Sequence, residues 1–444
     1  MPKKESEKIF SVQKSFNMSE KFDIILFGVT GLVGRYALRH LYKLATAKGR
    51  NLSWAVAARD ETKMRNVVDD LRRRTGDSNI KITMILADME DAKSIEEMVK
   101  RARVLVNASG PLRRHGETVI QACLKHRTHH VDISAEPNFI EKVELEYNEE
   151  ARKRDVYIVG SCGVDSITYD MGLFYLEKKL GGTLNSVEAY LRYGSDNTSL
   201  PGPDFNCSTW KSIIDIMTHK EELKQIRSGR NDKLPDLEPK LKAKYLPFKP
   251  EVDEGWAIPL MSADLSVMRR TQQYLYREKK KRPIQIQTYM MLTEIWHFVF
   301  LLLLSSLALL TKLSLGRNLL LKYPYFFSGG VFGEEEPTEE KLESGWFRLT
   351  IHGKGWKEKL LNYEDQFSYK PNTELVVTVT GRNHAYGSTG LCLVLAGIML
   401  LTEPENIPKR GGVFTPGGAF GETSLAEQLN ENGIKIELIK RADI

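Results

Sequence analysis

The chain has 444 residues, of which 27% are charged and 41% hydrophobic. This is the profile of a globular protein, and at roughly 150 residues per domain the length predicts two or three domains, or one that is interrupted. A net charge of +6, from 64 basic and 58 acidic residues, argues against nucleic-acid binding, because no basic stripe is interleaved with aromatic residues.

Cysteine usage and the N-terminus bear on the compartment. The four cysteines include no CxxC pair, which argues against a zinc knuckle and a disulfide framework and predicts a reducing compartment. Residues 1–21 are polar and lysine-rich and have no apolar stretch of the kind found in a signal peptide. We therefore expect a flexible tail and a cytosolic protein.

Short apolar runs alternate with helical patterns over the next 140 residues or so. The predicted strands are 23–27, 52–59, 81–88, 103–110, 129–134 and 156–160. The helical patterns between them begin at Leu32 and then cover 61–75, 94–102, 115–127 and 138–154. Strict alternation of this kind predicts an α/β fold in which 22–165 form a Rossmann-type, doubly wound parallel sheet.

The rest of the chain has a different pattern. Residues 186–194, 346–355 and 374–383 alternate like antiparallel strands, 208–226 is helical, and 227–256 resembles loop. These features predict an inserted α+β substrate domain over 166–385, which includes the hydrophobic segment 290–315. The helical pattern at 388–402 predicts that the C-terminal segment, 386–444, returns to pack on the Rossmann domain.

A glycine-rich turn follows the first predicted strand. Gly28, Gly31 and Gly34 stand in "GVTGLVG", and Thr30 lies inside the turn. Glycines at this spacing allow a tight turn, a close approach of backbone N–H groups to a pyrophosphate, and close packing of helix on sheet. The turn therefore predicts a dinucleotide site, with a glycine turn that binds nothing as the alternative.

The ends of the next two strands indicate the type of cofactor. Arg59 follows the second strand, where an NAD site usually has an acidic residue, and a guanidinium suits a 2′-phosphate. This favours NADP(H) over NAD(H); the alternative is a solvated Arg59, with Asp60 capping the next helix. Asp88, after the third strand, is predicted either to reach the adenine or to be a helix cap.

The fourth strand ends in "NASGP". The carboxyl edge of a doubly wound sheet lies beside the middle of a bound dinucleotide. Asn107, Ser109 and Gly110 are therefore predicted to line the nicotinamide ribose.

Candidate groups for chemistry cluster after the sixth strand, in "SCGVDSITYD". Tyr169 is a candidate proton donor, and Asp165 is predicted either to orient the substrate or to cap the next helix. Cys162 either lines the nicotinamide site or fills space as a buried thiol. His115 and Asp132 are further candidates. His115 is predicted either to face the substrate or to be a surface histidine at a helix start. The Asp132 carboxylate could bind cofactor or substrate.

Patterns of other enzyme classes are missing from the sequence. It has no HExxH, no Ser-His-Asp arrangement and no cluster with metal-ligand spacing. Hydrolase and metalloenzyme functions are therefore disfavoured, and no metal is predicted.

Residues 295–310, "IWHFVFLLLLSSLALL", are strongly apolar. The run is short for a membrane-crossing helix, which needs about 20 apolar residues. Basic residues on both sides and the aromatic residues of 322–327 favour a monotopic anchor that dips into a lipid surface. The alternative is a buried helix or a homodimer interface.

Five motifs together resemble the saccharopine dehydrogenase-like oxidoreductases: "ILFGVTGLVG", "NASGP", "HHVDISAE", "GSCGVDSITYDMG" and "KRGGVFTPGGAF". The resemblance covers 22–439 and extends to mycobacterial trans-acting enoyl reductases. It implies an NAD(P)-linked oxidoreductase, association with lipid droplets or membranes for the animal branch, and glycolipid synthesis for the bacterial one. No arginine-rich pocket for an amino-dicarboxylate is apparent, which argues against lysine metabolism.

From these features we expect an NADP(H)-dependent oxidoreductase for a lipid-like substrate, on the cytosolic face of lipid droplets or membranes. The alternative location is the mitochondrion. The alternative function is a nucleotide-binding adaptor with little or no catalytic activity.

Overall fold

The computed structural model describes residues 21–47, 49–228, 233–260, 263–293, 298, 302 and 306–444. Most of the predicted anchor, 295–310, therefore lies outside the described residues. The strands form a seven-stranded, a six-stranded and a two-stranded sheet.

The seven-stranded sheet is the Rossmann-type sheet expected from the sequence. Its strands are β1 (Phe22–Phe27), β2 (Trp54–Ala58), β3 (Thr83–Leu86), β4 (Ala102–Asn107), β5 (His129–Asp132), β6 (Tyr157–Val159) and β14 (Gly412–Phe414). All pair in parallel, in the order β14-β6-β5-β4-β1-β2-β3. The strand order reverses between β1 and β4, and ligands of such sheets bind in the crevice at this point.

Helices cover both faces of this sheet. They are α1 (Leu32–Ala45), α2 (Glu61–Thr75), α3 (Ala92–Val99), α4 (Leu112–His126) and α5 (Pro137–Arg154). Successive β1 residues enter opposite cores: Ile24 and Leu26 pack in one, Ile25 and Phe27 in the other. Two buried faces explain why the strands read as unbroken apolar runs.

The six-stranded sheet forms the inserted α+β domain. Its strands are β7 (Thr183–Ser195), β9 (Trp256–Pro259), β10 (Gln285–Leu292), β12 (Gly345–Trp356), β13 (Thr373–Arg382) and β15 (Lys435–Asp443). α6 (Val164–Leu180) and α9 (Ala263–Lys279) accompany it. A Cβ at Gly172 of α6 would lie 2.5 Å from Ile351, so helix and sheet are in close contact.

A third unit, which we call the cap, consists of residues 205–228 and 306–333. It contains β8 (Phe205–Asn206), α7 (Cys207–Thr218), α8 (Lys220–Ser228), a 3₁₀ helix (Leu307–Lys312), α10 (Ser314–Lys322), α11 (Pro324–Phe327) and β11 (Phe332–Gly333). The single helix predicted over 208–226 is thus two helices. Trp210, Ile214 and Leu320 are its buried centre, with Leu307 and Leu310 packed against them.

The C-terminal part contributes to both large domains. After α12 (Glu339–Ser344) and a π-helical turn (His384–Ser388) come α13 (Thr389–Thr402), α14 (Pro416–Phe420) and α15 (Leu425–Glu431). A Cβ at Gly390 would lie 2.7 Å from the Ala37 backbone, so α13 rests directly on α1. The prediction that all of 386–444 packs on the Rossmann domain is wrong for its last strand, because β15 pairs with β13 in the other sheet.

One helical segment among the described residues, His384–Thr402, is long and apolar enough to cross a membrane. However, 83% of its most apolar stretch is buried inside the protein. It is therefore the central core helix, which joins the two large domains.

Candidate active site

The glycine turn leaves the start of α1 open for a ligand. Gly28 has φ +85, and a Cβ there would lie 2.6 Å from the Ser109 backbone nitrogen. At Gly34 it would lie 2.1 Å from the Gly28 oxygen, whereas at Gly31 the nearest atom is 3.5 Å away. Gly31 is the N-cap and no side chain caps α1, so the first amides of this helix can bind an anion, as phosphate-binding helices do. Thr30 lies in the same turn, half-buried.

Arg59 stands at the carboxyl end of β2 with its side chain exposed. Within the described part of the chain it forms no ion pair, while Asp60 accepts a 2.9 Å hydrogen bond from the Lys63 amide and caps α2. Both sequence-based roles are therefore compatible: Asp60 is the cap, and the Arg59 guanidinium is available to a ligand.

Asp88 does not cap a helix. Its carboxylate accepts a 3.1 Å hydrogen bond from the Glu90 amide in a tight turn, and Asp91 is the N-cap of α3. The cap alternative for Asp88 is therefore wrong, and the half-buried side chain lies at the carboxyl edge after β3.

Hydrogen bonds among buried polar groups hold the "NASGP" loop in place. Asn107 is fully buried; its amide nitrogen donates to His130 Nε2 at 3.3 Å, and its oxygen accepts from the Ser109 amide at 3.0 Å. His130 Nδ1 lies 3.7 Å from the Asp132 carboxylate, and burial lowers the pKa of His130. Asn107 thus turns its amide inward, while Gly110 remains exposed at the edge.

Asp132, too, is occupied inside the protein. It is 1% exposed and accepts hydrogen bonds from the amides of Ser134 at 2.9 Å and Ser161 at 3.3 Å. It holds the loops after β5 and β6 together. His115 lies half-buried in the first turn of α4.

Asp165 is solvent-exposed in the first turn of α6, where the chain passes from β6 of the Rossmann domain towards β7 of the α+β domain; we call this junction the cleft. The N-cap of α6 is Gly163, so the capping alternative for Asp165 is wrong. Its carboxylate instead accepts a 3.0 Å hydrogen bond from the Tyr193 hydroxyl of β7. Behind it, Asp264 of α9 is 6% exposed and accepts a 3.0 Å hydrogen bond from Ser166.

The surroundings of Asp165 favour its neutral form. The residue is exposed to solvent on one side, yet enough protein lies around its carboxyl group to disfavour a charge there. This burial, followed by the negative charge of Asp264, raises the pKa of Asp165 to about 7, against the opposing hydrogen bond from Tyr193. Asp165 can therefore exist in both protonation states near neutral pH.

The other two candidates from this motif are sealed inside the protein. Tyr169 has no exposed surface, and its hydroxyl has no hydrogen-bond partner among the described residues. Burial, then the charges of Asp264 and Asp165, raises its pKa well above the usual value. Cys162 is also fully buried, and burial raises the pKa of its thiol.

A row of aromatic rings leads from Asp165 into the cap. His384 stacks on Tyr193, with 4.3 Å between ring centroids, and Phe205 meets His384 edge-on at 5.5 Å. Phe332 stacks on Phe205 at 5.4 Å and contacts Trp210 at the same distance. Burial lowers the pKa of His384 to about 4, so this row is uncharged at neutral pH.

Sequence reasoning missed Tyr193, Asp264 and His384. They come from a strand, a helix start and a turn that are distant in the chain and meet only in the folded protein. The available signals were the tyrosine at the end of the alternating strand "SVEAYLRYG" and the polar start of "SADLSV". Among the described residues no group of three His, Cys, Asp or Glu side chains is arranged to hold a metal ion.

Comparison with known proteins gives one family. The saccharopine dehydrogenase NADP binding domain matches residues 24–159. A human saccharopine dehydrogenase-like oxidoreductase is 34% identical over 95% of this chain and 98% of its own. A lipid droplet localized protein of Caenorhabditis elegans is 32% identical over 96% of this chain and 100% of its own. The apo structure of the yeast saccharopine dehydrogenase (L-Glu forming) covers 94% of this chain at 12% identity, with a TM-score of 0.48.

Proposed function

We propose, on the premise that this chain belongs to the saccharopine dehydrogenase-like oxidoreductase family, that it uses NADP(H) to reduce or oxidise a lipid-like substrate at a lipid surface. The glycine turn and Arg59 fit this cofactor, which supplies or accepts a hydride when bound. The observation that carries the proposal is an apolar surface on the cap.

This apolar surface consists of large side chains that the fold leaves uncovered. Its members on the cap are Leu309, Leu313, Leu315, Leu319, Tyr323, Tyr325 and Phe326, and Leu302 just before the cap is exposed as well. Leu315 is 73% exposed and Phe326 79%. Exposed apolar side chains gathered in one segment mark an interaction site, whereas scattered ones are normal.

The charges of the segment favour an anionic lipid surface as the occupant. No acidic residue occurs between 295 and 333. Lys312, Arg317 and Lys322 lie among the apolar side chains and form no ion pair within the described residues. Each basic side chain near an anionic membrane contributes about 1 kcal/mol, and Tyr323 and Tyr325 suit the interface.

The basic run before the segment contributes less than the sequence suggested. Lys279 pairs with Glu422 at 3.2 Å, and Lys281 pairs with Glu177 at 2.6 Å. Arg282 is buried, 5.6 Å above the Trp356 ring. The fold itself therefore uses these cations, and the lipid contact depends on the basic residues from 312 onwards.

The cap also connects this surface with the site. Leu320 packs beneath the surface on Trp210 and Ile214 of α7. Helices α7 and α8 of the cap also contact the Rossmann domain near the carboxyl end of β4. There Arg113 of α4 pairs with Asp215 of α7 at 3.3 Å and with Glu222 of α8 at 3.0 Å. A lipid bound at the surface would thus lie on the same unit that covers the cofactor edge.

The proposed location is the cytosolic face of a lipid droplet, supported by the similarity to the lipid droplet localized protein of Caenorhabditis elegans. The mitochondrial address, the glycolipid role and the homodimer remain predictions.

A flotation experiment tests the lipid contact. Wild-type protein is mixed with phosphatidylcholine vesicles, with or without phosphatidylserine, and with triolein droplets. The variant Leu313→Ser/Leu315→Ser/Phe326→Ser should lose binding by at least about 100-fold, because each apolar side chain buried in lipid contributes about 1.5–3 kcal/mol. Its thermal unfolding temperature should be unchanged, since these side chains are exposed.

The matched control is Leu246→Ser/Leu361→Ser. These leucines are 77% and 104% exposed but lie outside the cap. The control should float like the wild type. Equal flotation of wild type and surface variant would refute the lipid contact, and cofactor consumption without any lipid-like substrate preference would refute the substrate class.

A further inference from the structure

We infer that Asp165 is the acid–base group of this oxidoreductase, that Tyr193 positions it, and that the cleft accepts an uncharged carbonyl group on an apolar body. The inference rests on the proposed function and specifies its substrate. It depends on contacts contributed by four elements that no sequence motif joins.

Asp165 presents an accessible carboxyl group. Of the three candidates after β6, only Asp165 is open to solvent, whereas Cys162 and Tyr169 are sealed. A group that exchanges a proton with a substrate must be within hydrogen-bond reach of it. Asp165 satisfies this condition from the cleft side, and its other contact is the Tyr193 hydroxyl at 3.0 Å.

Tyr169 holds a buried, unpartnered hydroxyl near Asp165. This side chain is fully buried, yet its oxygen has no hydrogen-bond partner among the described residues. Asp165 and Asp264 both lie close enough for their charges to raise its pKa. A buried polar atom without a partner is costly, so a site that retains one beside two carboxyls is built for something other than stability.

The charges around Asp165 bear on the charge of the substrate. The groups that shift the pKa of Asp165 are its burial, Asp264 and Tyr193, and no lysine or arginine is among them. The other titratable neighbours are Tyr169, the Cys392 thiol on α13 and, across the Tyr193 ring, the neutral His384. A substrate carboxylate would meet repulsion here, whereas a neutral carbonyl oxygen would accept a hydrogen bond from protonated Asp165.

The aromatic row provides a wall for the apolar body. It runs from Tyr193 through His384 and Phe205 to the buried centre of the cap. Apolar chains bind well against aromatic rings. A substrate lying along this wall would have its reacting group at Asp165 and its tail directed towards the cap.

Reduction of a carbonyl group at this site transfers one hydride and one proton. In reduction, the carbonyl carbon gains a hydride from NADPH and the carbonyl oxygen gains the proton of the Asp165 carboxyl. The products are the alcohol, NADP⁺ and the Asp165 carboxylate. Solvent at the cleft mouth then returns a proton to Asp165. Oxidation of an alcohol is the reverse, with the carboxylate as the base.

The test uses purified full-length protein, NADPH, and a panel of long-chain ketones and aldehydes beside 2-oxo acids with amines. We expect turnover of the neutral carbonyl compounds and a kcat/KM that falls as pH rises through the pKa of Asp165. Asp165→Asn should lower the rate by roughly 10²–10⁴-fold and abolish this fall of kcat/KM with pH (the pH limb), while NADPH binding persists. Asp91→Asn, at a helix start outside the cleft, is the matched control.

Two positioning variants should move the pH limb in opposite directions. Tyr193→Phe removes a hydrogen bond that lowers the pKa of Asp165, so the limb should shift to higher pH. Asp264→Asn removes the charge that raises this pKa, so the limb should shift to lower pH. A purely structural role would change rates without these opposed shifts, and unaltered limbs would refute the inference.

The outcomes separate the two proposals. Turnover that survives Asp165→Asn refutes the role of Asp165 but not the lipid surface, and preferred turnover of charged amine substrates refutes the neutral-carbonyl site. If the wild type consumes no NADPH with any compound, the redox part of the proposed function fails. Fluorescence binding of a non-reactive long-chain amide then decides the site: binding should weaken above the pKa of Asp165 in the wild type but not in Asp165→Asn.

Discussion

Arg59 is the side chain that we propose selects NADP(H) over NAD(H). It lies exposed at the end of β2, and Asp60 beside it is committed to capping α2. An acidic residue here would bind the ribose 2′-hydroxyl of NAD and repel a 2′-phosphate. The match of residues 24–159 to an NADP-binding domain agrees with this sequence-based reasoning.

We expect Arg59→Ala to weaken NADPH binding and to spare NADH binding. A hydrogen bond to a charged group contributes about 1.5–3 kcal/mol, so the Kd for NADPH should rise roughly 10- to 100-fold. Thermal shift or fluorescence titration with both cofactors measures this. Arg65→Ala, which removes an exposed i,i+4 pair with Glu61 on the same helix, should leave both affinities unchanged. Equal losses for NADPH and NADH would refute a contact with the 2′-phosphate.

Gly31→Asp is the companion change that affects the whole nucleotide site. A Cβ at Gly31 has room, and aspartate is a good N-cap, so the free protein should remain folded. The added carboxylate would nevertheless occupy and repel the pyrophosphate position, so thermal shifts with both cofactors should disappear. Retained shifts would refute the cofactor assignment.

At the level of single elements, local pattern predicted most of the nucleotide domain. The helix predicted at 61–75 is α2 without change, and the predicted strands differ from the observed ones by at most a few residues. By contrast, β14 is three residues long and pairs with Tyr157–Val159 about 250 residues earlier. A strand that short carries no periodicity, so only tertiary pairing reveals it.

The contrast between local pattern and tertiary packing also explains which parts of the candidate site could be predicted from the sequence. The glycine turn and Arg59 lie within one βαβ segment, where spacing reflects geometry directly. Tyr193, Asp264 and His384 reach Asp165 only after three separate elements have packed together. Sequence reasoning could therefore name Asp165 as a candidate but could not name the groups that set its protonation.

Asp170 joins three elements in the core, and we expect it to make the stability of the fold depend on pH. It has no exposed surface; one carboxylate oxygen accepts from the Gly417 amide of α14 at 2.7 Å and the Thr271 hydroxyl of α9 at 2.9 Å. The other oxygen has no partner among the described residues. Burial raises the pKa of Asp170 from 3.8 to about 7, so the fold favours the protonated form.

The consequence for stability has a definite sign. A raised carboxyl pKa means that this stabilisation is complete below the unfolded-state pKa and is lost as pH rises through the folded-state pKa, at up to about 1.4 kcal/mol per pH unit. Asp170→Asn keeps an oxygen acceptor and cannot ionise. Its unfolding temperature relative to the wild type should therefore increase between about pH 5 and pH 8.

Differential scanning calorimetry across this range provides the measurement. Asp69→Asn, which alters an exposed carboxylate paired with Arg72, should show no such trend. A difference between Asp170→Asn and the wild type that is constant with pH would mean that Asp170 is already ionised in the folded protein.

On the scale of the whole molecule, three units converge on one cleft. The Rossmann sheet supplies the cofactor edge, α6 leads from β6 into the second domain, and β7 brings Tyr193 to Asp165. The cap contacts the start of α4 through the Arg113–Glu222 ion pair and carries the apolar surface. Because His384–Thr402 is a core element, we expect lipid contact at the apolar surface of the cap and not through this helix.

This architecture predicts that a lipid surface changes which substrates are used. A long-chain ketone dissolved in vesicles should be reduced faster than the same ketone without vesicles, because the cap holds the enzyme at the surface where the ketone is concentrated. A short, water-soluble ketone should react at the same rate with and without vesicles. The rate of NADPH consumption in the four combinations measures this.

The surface variant Leu313→Ser/Leu315→Ser/Phe326→Ser distinguishes binding to the lipid surface from reduction of the ketone at Asp165. Its altered side chains are exposed on the cap, whereas Asp165 and Tyr193 are untouched, so its rate with the short ketone should equal that of the wild type. Its gain from vesicles with the long-chain ketone should vanish. Equal losses for both ketones would mean that the surface residues support the fold of the cleft, and a full gain in the variant would mean that substrates enter without passing the apolar surface.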